Sequence, residues 1–236
     1  MSHQSAAVVG SIDDDGFDGA VHPVAGPAFR ESDVPFRHGL VHAYAAGTGI
    51  YAEGDGAERF YKVLSGVART CRYLGDGQRQ VDAFYWPGDL FGFEPDGQYR
   101  LTAEAVGDCT LVAYPRLRCV IQDAAEYRCA SQLLDYALRG IERAQEHALL
   151  LGRRCALSKL AGFLLQYDSH RPGHRFIELV MNRQDIADYL GVTIETVSRS
   201  FTQLEHDAVI AMPAAKRIAI LDRVRLRRIA EQSGSA

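Results

Sequence analysis

Two short helical patterns joined at one glycine constrain this chain more than any other feature. They lie in NRQDIADYLGVTIETVSRSFTQLEHDAVI, which begins at Asn182. Asn182 can cap the first helix, and Asp185 three residues on places negative charge in its first turn, where the helix dipole favours it. Ile186 and Leu190 give that helix a face to bury. Gly191 supplies the turn, since a positive φ costs glycine little. Thr193 then caps a second helix that has Glu195 in its first turn. Val197, Phe201 and Leu204 recur at i, i+4 and i+7 as an apolar stripe. Glu195, Ser198 and Arg199, at i, i+3 and i+4, fall on a separate polar stripe. Two such helices make a helix–turn–helix pattern. RFIELV before them reads as a short strand, and MPAAKRIAILD after them as a wing carrying Lys216 and Arg217.

In this arrangement the second helix enters the major groove of double-stranded DNA with its N-terminal residues on base edges. The polar stripe has the chemistry for that position. Arg199 can bond guanine O6 and N7, Glu195 can accept from a cytosine amino group, and Ser198 adapts to either. Arg183, Thr193, Thr196, Lys216 and Arg217 are expected on phosphates, adding affinity and salt dependence rather than sequence choice. The bland alternative is a surface Glu–Arg pair at i, i+4, worth about 0.2–0.5 kcal/mol.

Charge points the same way. Residues 153–236 hold 13 Lys/Arg against 9 Asp/Glu, while residues 1–152 hold 13 against 21, so a basic C-terminal third follows an acidic remainder. A basic end suits a polyanionic partner. No run of eighteen apolar residues and no basic-then-apolar leader pattern occur, so the expectation is a cytoplasmic protein without a membrane span. The 5 cysteines are an odd, unclustered set, expected to be buried or half-buried thiols rather than disulfides. His170 and His174 straddle Pro172 and Gly173, and His38 and His42 flank Gly39. Neither pair is a good metal site, and no metal or cofactor is expected.

The organisation expected is α+β. Residues 1–30, rich in Gly, Ala and Asp, read as a flexible arm. Residues 31–122 alternate short apolar runs with Gly/Asp turns and read as an antiparallel β-roll. Residues 123–152 turn helical, with Leu134, Ile141 and Ala148 repeating every seven residues and Ala137, Ala144 and Leu151 offset by three. That is an a/d seam suited to a homodimer. Gly140 inside it suggests a close helix–helix approach. Residues 153–236 hold the winged helix–turn–helix, with the boundary near Gly152.

Taken together, EGDGAERFYKVLSGVART, WPGDLFGF and RQDIADYLGVTIETVSRSFTQLE resemble the CRP/FNR superfamily of bacterial transcription regulators. The resemblance covers nearly the whole chain after residue 35. It implies a cyclic-nucleotide-binding-like roll, a dimerisation helix, a palindromic DNA site and recruitment of RNA polymerase. The spacing E-T-V-S-R is that of the FNR and FixK branch, where Glu, Ser and Arg read TTGAT-type half-sites. This assigns base reading to Glu195, Ser198 and Arg199. The CRP branch has Gly where Ser198 stands. The clustered N-terminal cysteines of an FNR-type iron–sulfur cluster are missing. The phosphate cassette of the cyclic-AMP pocket is altered too, with Phe93 after Gly92 and Leu101 after Arg100. Loss of both devices resembles the FixK branch, whose members activate genes for low-oxygen respiration and nitrogen fixation. A CRP-like alternative keeps an anionic or nucleotide effector at Arg100, against pairing of Arg100 with an acidic neighbour. An enzyme with a cupin-like roll would need a His-x-His and carboxylate cluster, which the sequence lacks.

Overall fold

The structure, a computed structural model, describes residues 7–11, 39–116, 124–170 and 174–232. Among the described residues nine strands come first: β1 Ala7–Ser11, β2 Leu40–Tyr44, β3 Gly49–Tyr51, β4 Arg59–Ser65, β5 Ala68–Tyr73, β6 Arg79–Tyr85, β7 Leu90–Phe91, β8 Thr102–Ala105 and β9 Cys109–Pro115. They form a five-stranded sheet, ordered β1-β2-β9-β4-β7, and a four-stranded sheet, ordered β3-β8-β5-β6. The assigned strand pairs of both sheets run antiparallel.

Alternation along β9 explains how this unit holds together. Leu111 and Ala113 turn into a core shared by both sheets, with Tyr44, Tyr61, Val63, Ala68, Phe91 and Ala103. Val112 and Tyr114 point to the other face, where they join Phe60 and Leu90 and receive Leu133 and Tyr136 from the following helix. Fully burying a side chain of this size contributes about 1.5–3 kcal/mol. Between β4 and β5, Gly66 takes φ 78°, and an added Cβ would lie 2.3 Å from the Asp108 carbonyl oxygen. Only glycine fits there.

Within residues 1–30, expected to be a flexible arm, lies a strand. Residues Ala7–Ser11 pair antiparallel with β2, Ala7 opposite Ala43 and Ser11 opposite Leu40. An open β2 edge would leave a row of backbone groups without sheet partners, and a β-competent Ala-Val-Val run answers them. Residues 1–6 and 12–30 lie outside the described residues.

Helix α1 spans Ala124–Leu151. Leu134 (59% exposed), Ala137, Ile141 (54%), Ala144 and Ala148 are exposed, Leu151 is half-buried, and Leu138 (54%) and Leu149 (73%) are exposed beside them. Among the described residues, nothing beyond the helix's own backbone lies within 4 Å of a Cβ added at Gly140.

The second compact unit comprises Tyr73–Val81 and Glu142–Ala236. Its longer segment starts at Glu142, ten residues ahead of the boundary expected near Gly152. The reason is packing: the His147 ring stacks on Tyr189 at 3.9 Å, and Leu150 lies against Gly162. The unit contains α2 Ala156–Ser169, β10 Ile177–Glu178, α3 Arg183–Leu190, α4 Ile194–His206, β11 Ile210–Ala214, β12 Arg217–Ile220 and α5 Arg223–Glu231. A three-stranded sheet ordered β10-β12-β11 covers one side. Leu160, Ala161, Phe163 and Leu164 bury α2 at the centre, where α4 and α5 pack on it.

Cys71 and Cys109 are buried thiols, as their surroundings of sheet core require. Cys155, expected to be at least half-buried, is exposed, because it occupies the N-cap of α2 rather than its apolar face. Among the described residues no helix is long and apolar enough to cross a membrane, and no three His, Cys, Asp or Glu side chains group as a metal site.

Candidate nucleic-acid interface

Local chemistry fixes both helices of the pair. Asn182 and Asp185 form a reciprocal capping box at the start of α3, with Asp185 N to Asn182 Oδ1 at 2.8 Å and Asn182 N to Asp185 Oδ2 at 3.2 Å. Gly191 ends α3 in the left-handed region, φ 61° and ψ 45°. Thr193 caps α4, its Oγ1 accepting from Thr196 N at 3.3 Å and lying 3.0 Å from Thr196 Oγ1. Val197, Phe201 and Leu204 are at most 1% exposed, so α4 is held down along one stripe.

Opposite that stripe, Glu195, Ser198 and Arg199 are all exposed. The Glu195 carboxyl is held below the ordinary carboxylate range by its own backbone N–H, then by the Thr193 hydroxyl and the Arg199 charge. It stands as an ionised acceptor. Ser198 donates from Oγ to the Ile194 carbonyl oxygen at 2.9 Å, which leaves its lone pairs outward. Ile194, outside the polar stripe marked by spacing, is 36% exposed at the first position of α4, beside Glu195. An apolar residue exposed at a helix tip was the available signal, and such a group suits a thymine methyl.

The residues expected on phosphates differ in availability. Thr193 is exposed and Thr196 half-buried. Lys216 donates to the Val180 carbonyl oxygen at 3.2 Å. Arg217 pairs with Glu178 at 3.0 Å and covers the Phe176 ring. Both are exposed, and an exposed pair of this kind is worth only about 0–1 kcal/mol, so exchange for phosphate is cheap. Arg183 is different. Its guanidinium sits 3.3 Å from the centroid of the Phe201 ring, and Nη2 donates to Met212 Sδ and to the Ala215 carbonyl oxygen, each at 3.3 Å. Among the described residues its Nη1 is buried without a hydrogen-bond partner, and burial lowers the Arg183 pKa.

Behind the pair, Arg79 binds Asp185 and Asp188 through Nη2 at 2.5 and 2.7 Å, with all three side chains largely buried. Desolvation opposes the Arg79 charge, but hydrogen bonds and charges from these two aspartates outweigh it and raise its pKa. Sequence gave no hint of this cluster, because 106 residues separate Arg79 from Asp185. In the β-roll, Arg100 is 66% exposed and its Nε donates to Glu94 Oε2 at 2.6 Å, which is the acidic-neighbour alternative. Tyr51, Tyr61, Tyr85, Phe91 and Tyr99 fill the roll's interior as one aromatic group, with Tyr51 and Tyr99 stacked at 3.6 Å.

A β-roll followed by a winged helix–turn–helix defines a DNA-binding transcription regulator. Comparison with known proteins gives the same class. The Crp-like helix-turn-helix domain matches residues 158–229, and the cyclic nucleotide-binding domain matches residues 41–118. The nitrogen fixation regulation protein FixK of Azorhizobium caulinodans is 40% identical over 206 residues, covering 85% of this chain and 83% of that protein. FixK of Rhizobium meliloti is 43% identical over 188 residues, covering 80% and 86%. The structure of FixK2 from Bradyrhizobium japonicum superposes with a TM-score of 0.75 at 35% identity, covering 83% of this chain and 99% of that one. The chain belongs to the CRP/FNR family of transcription regulators, in its FixK-like branch.

Proposed function

We propose that the protein is a homodimeric transcription activator that binds TTGAT-like palindromes, works in the cytoplasm and controls genes of low-oxygen metabolism and nitrogen fixation. The observation that carries this reading is the exposed Glu195–Ser198–Arg199 face on a helix pinned by Val197, Phe201 and Leu204. Arg199 pairs with guanine, Glu195 accepts from cytosine, and Ser198 tolerates its neighbour. Thr193, Thr196, Arg183, Lys216 and Arg217 hold the phosphates. Helix α1 supplies the two-fold: the exposed Leu134, Ala137, Ile141, Ala144 and Ala148, with Leu151, form one continuous seam for a second copy. Two reading helices then lie about 34–36 Å apart, one turn of DNA. RNA polymerase is the onward partner, and neither an iron–sulfur cluster nor cyclic AMP takes part. Selection of random DNA fragments by the purified protein, without added ligand, tests this. The expected product is a palindrome of TTGAT half-sites; enrichment of no common site would overturn the reading.

A second reading, a regulator switched by an anionic or nucleotide effector in the roll, draws on the cyclic nucleotide-binding match over residues 41–118. The Glu94–Arg100 pair and the tyrosine-filled interior weigh against it. Calorimetric titration with cyclic nucleotides decides: heat that disappears in Arg100→Ala favours the effector.

A further inference from the structure

The contact between Arg183 and Met212 is an unusual match of a strong donor with a weak acceptor. A thioether sulfur is a poor hydrogen-bond acceptor, whereas the guanidinium carries five donors in a fixed fork. Arg183 Nη2 nevertheless lies 3.3 Å from Met212 Sδ as well as 3.3 Å from the Ala215 carbonyl oxygen, and among the described residues Nη1 is buried with no hydrogen-bond partner. Leaving a buried charged donor unpaired is unfavourable. One of the two acceptors of Nη2 is thus a weak sulfur beside a carbonyl oxygen, and Met212 Sδ stands where a stronger oxygen acceptor could be attached. Met212 is half-buried on β11 in the wing, so small oxidants can reach it, while Met181 is only 1% exposed.

We propose that Met212 is a site of reversible oxidation that withdraws Arg183 from DNA. A peroxide transfers one oxygen atom to Sδ. The thioether loses two electrons and becomes a sulfoxide, and the peroxide leaves as water or an alcohol. The new S=O oxygen is a strong acceptor beside Arg183, and it binds the guanidinium in place against Phe201. Arg183 is then no longer available to a phosphate oxygen. Part of this effect rests on the DNA-binding reading above, in which Arg183 is a phosphate contact. The weakening applies equally to all sequences, because phosphate contacts carry no base information.

The test uses the full chain treated with hydrogen peroxide and then with dithiothreitol, which restores the thiols and leaves the sulfoxide. Peptide mass spectrometry is expected to find one added oxygen on Met212 before any on Met181. The Arg183 side-chain N–H resonance is expected to shift in the same samples. Affinity for a TTGAT palindrome should fall about tenfold, the scale of one charge-assisted hydrogen bond. The slope of log affinity against log salt should shrink by about one phosphate. Methionine sulfoxide reductases should restore both. Met212→Leu should keep its affinity through the treatment, and Arg183→Ala should show no further loss. The proposal is overturned if Met212 is oxidised no faster than Met181, if the Arg183 resonance does not move, or if Met212→Leu weakens as much as the wild type. An untreated protein that binds no DNA would instead sink the reading beneath it, while spectrometry and resonance still judge the oxidation and the clasp.

Discussion

Cys109, Tyr44 and Tyr114 carry a pH signature of the β-roll at the level of single side chains. Burial is the main cause in each case, pushing the Cys109 thiol from 9.0 up to about 12, and the Tyr44 and Tyr114 hydroxyls from 10.0 up to about 12. These acids stay protonated in the folded chain after they have ionised in the unfolded one. Between those values the unfolded state binds fewer protons, so stability falls as pH rises. Urea midpoints are expected to be insensitive to these groups below about pH 9 and to drop progressively above it. A midpoint unchanged up to about pH 11 would contradict the burial assigned to them. Other single-residue features were legible beforehand in part. The exposed Glu195, Ser198 and Arg199 occupy the face that their spacing marks out, because i, i+3 and i+4 is a purely local relation. The clasp of Arg183 was not legible, since Met212 lies 29 residues away and no local rule pairs them.

Among the elements, α3 and α4 were the most readable because their ends are written in adjacent residues: a capping box, a left-handed glycine and a threonine cap. Helix α4 depends on that last cap. Thr193→Ala removes the acceptor for Thr196 N and is expected to cost about 0.5–2 kcal/mol. Chemical denaturation measures it; a change under about 0.3 kcal/mol would show that α4 is held by its buried stripe alone. Sheet order was beyond the sequence. Turn residues announced short strands, but β2 pairs with β1 and β9, and β9 pairs with β4, across long separations that no periodicity encodes. The edge strand β1 was missed for the same reason, since Ala-Val-Val is a strand only where an unpaired edge meets it.

At the level of the whole molecule, the exposed stripe on α1 is the feature a single chain leaves unexplained. Ile141→Glu places a charge in the middle of that seam, where it is exposed in the monomer and buried in a two-fold pair. Sedimentation is expected to show a dimer for the wild type and a monomer for the variant, with an unaltered circular dichroism spectrum. A variant that stays dimeric would place the interface elsewhere. Gly140, read as a mark of close helix approach, meets no neighbour within 4 Å of an added Cβ among the described residues. The seven-residue repeat was legible, because it is a local spacing, whereas what covers it is not written in local sequence.

The base-reading assignment is tested most directly by a double-mutant cycle between Arg199 and the guanine of the half-site. Affinities are measured for wild type and Arg199→Ala, each on the TTGAT palindrome and on one with both guanines replaced. Direct readout predicts an interaction energy of about 1–3 kcal/mol per contact. Additive losses, within about 0.3–0.5 kcal/mol, would mean that Arg199 does not read that base.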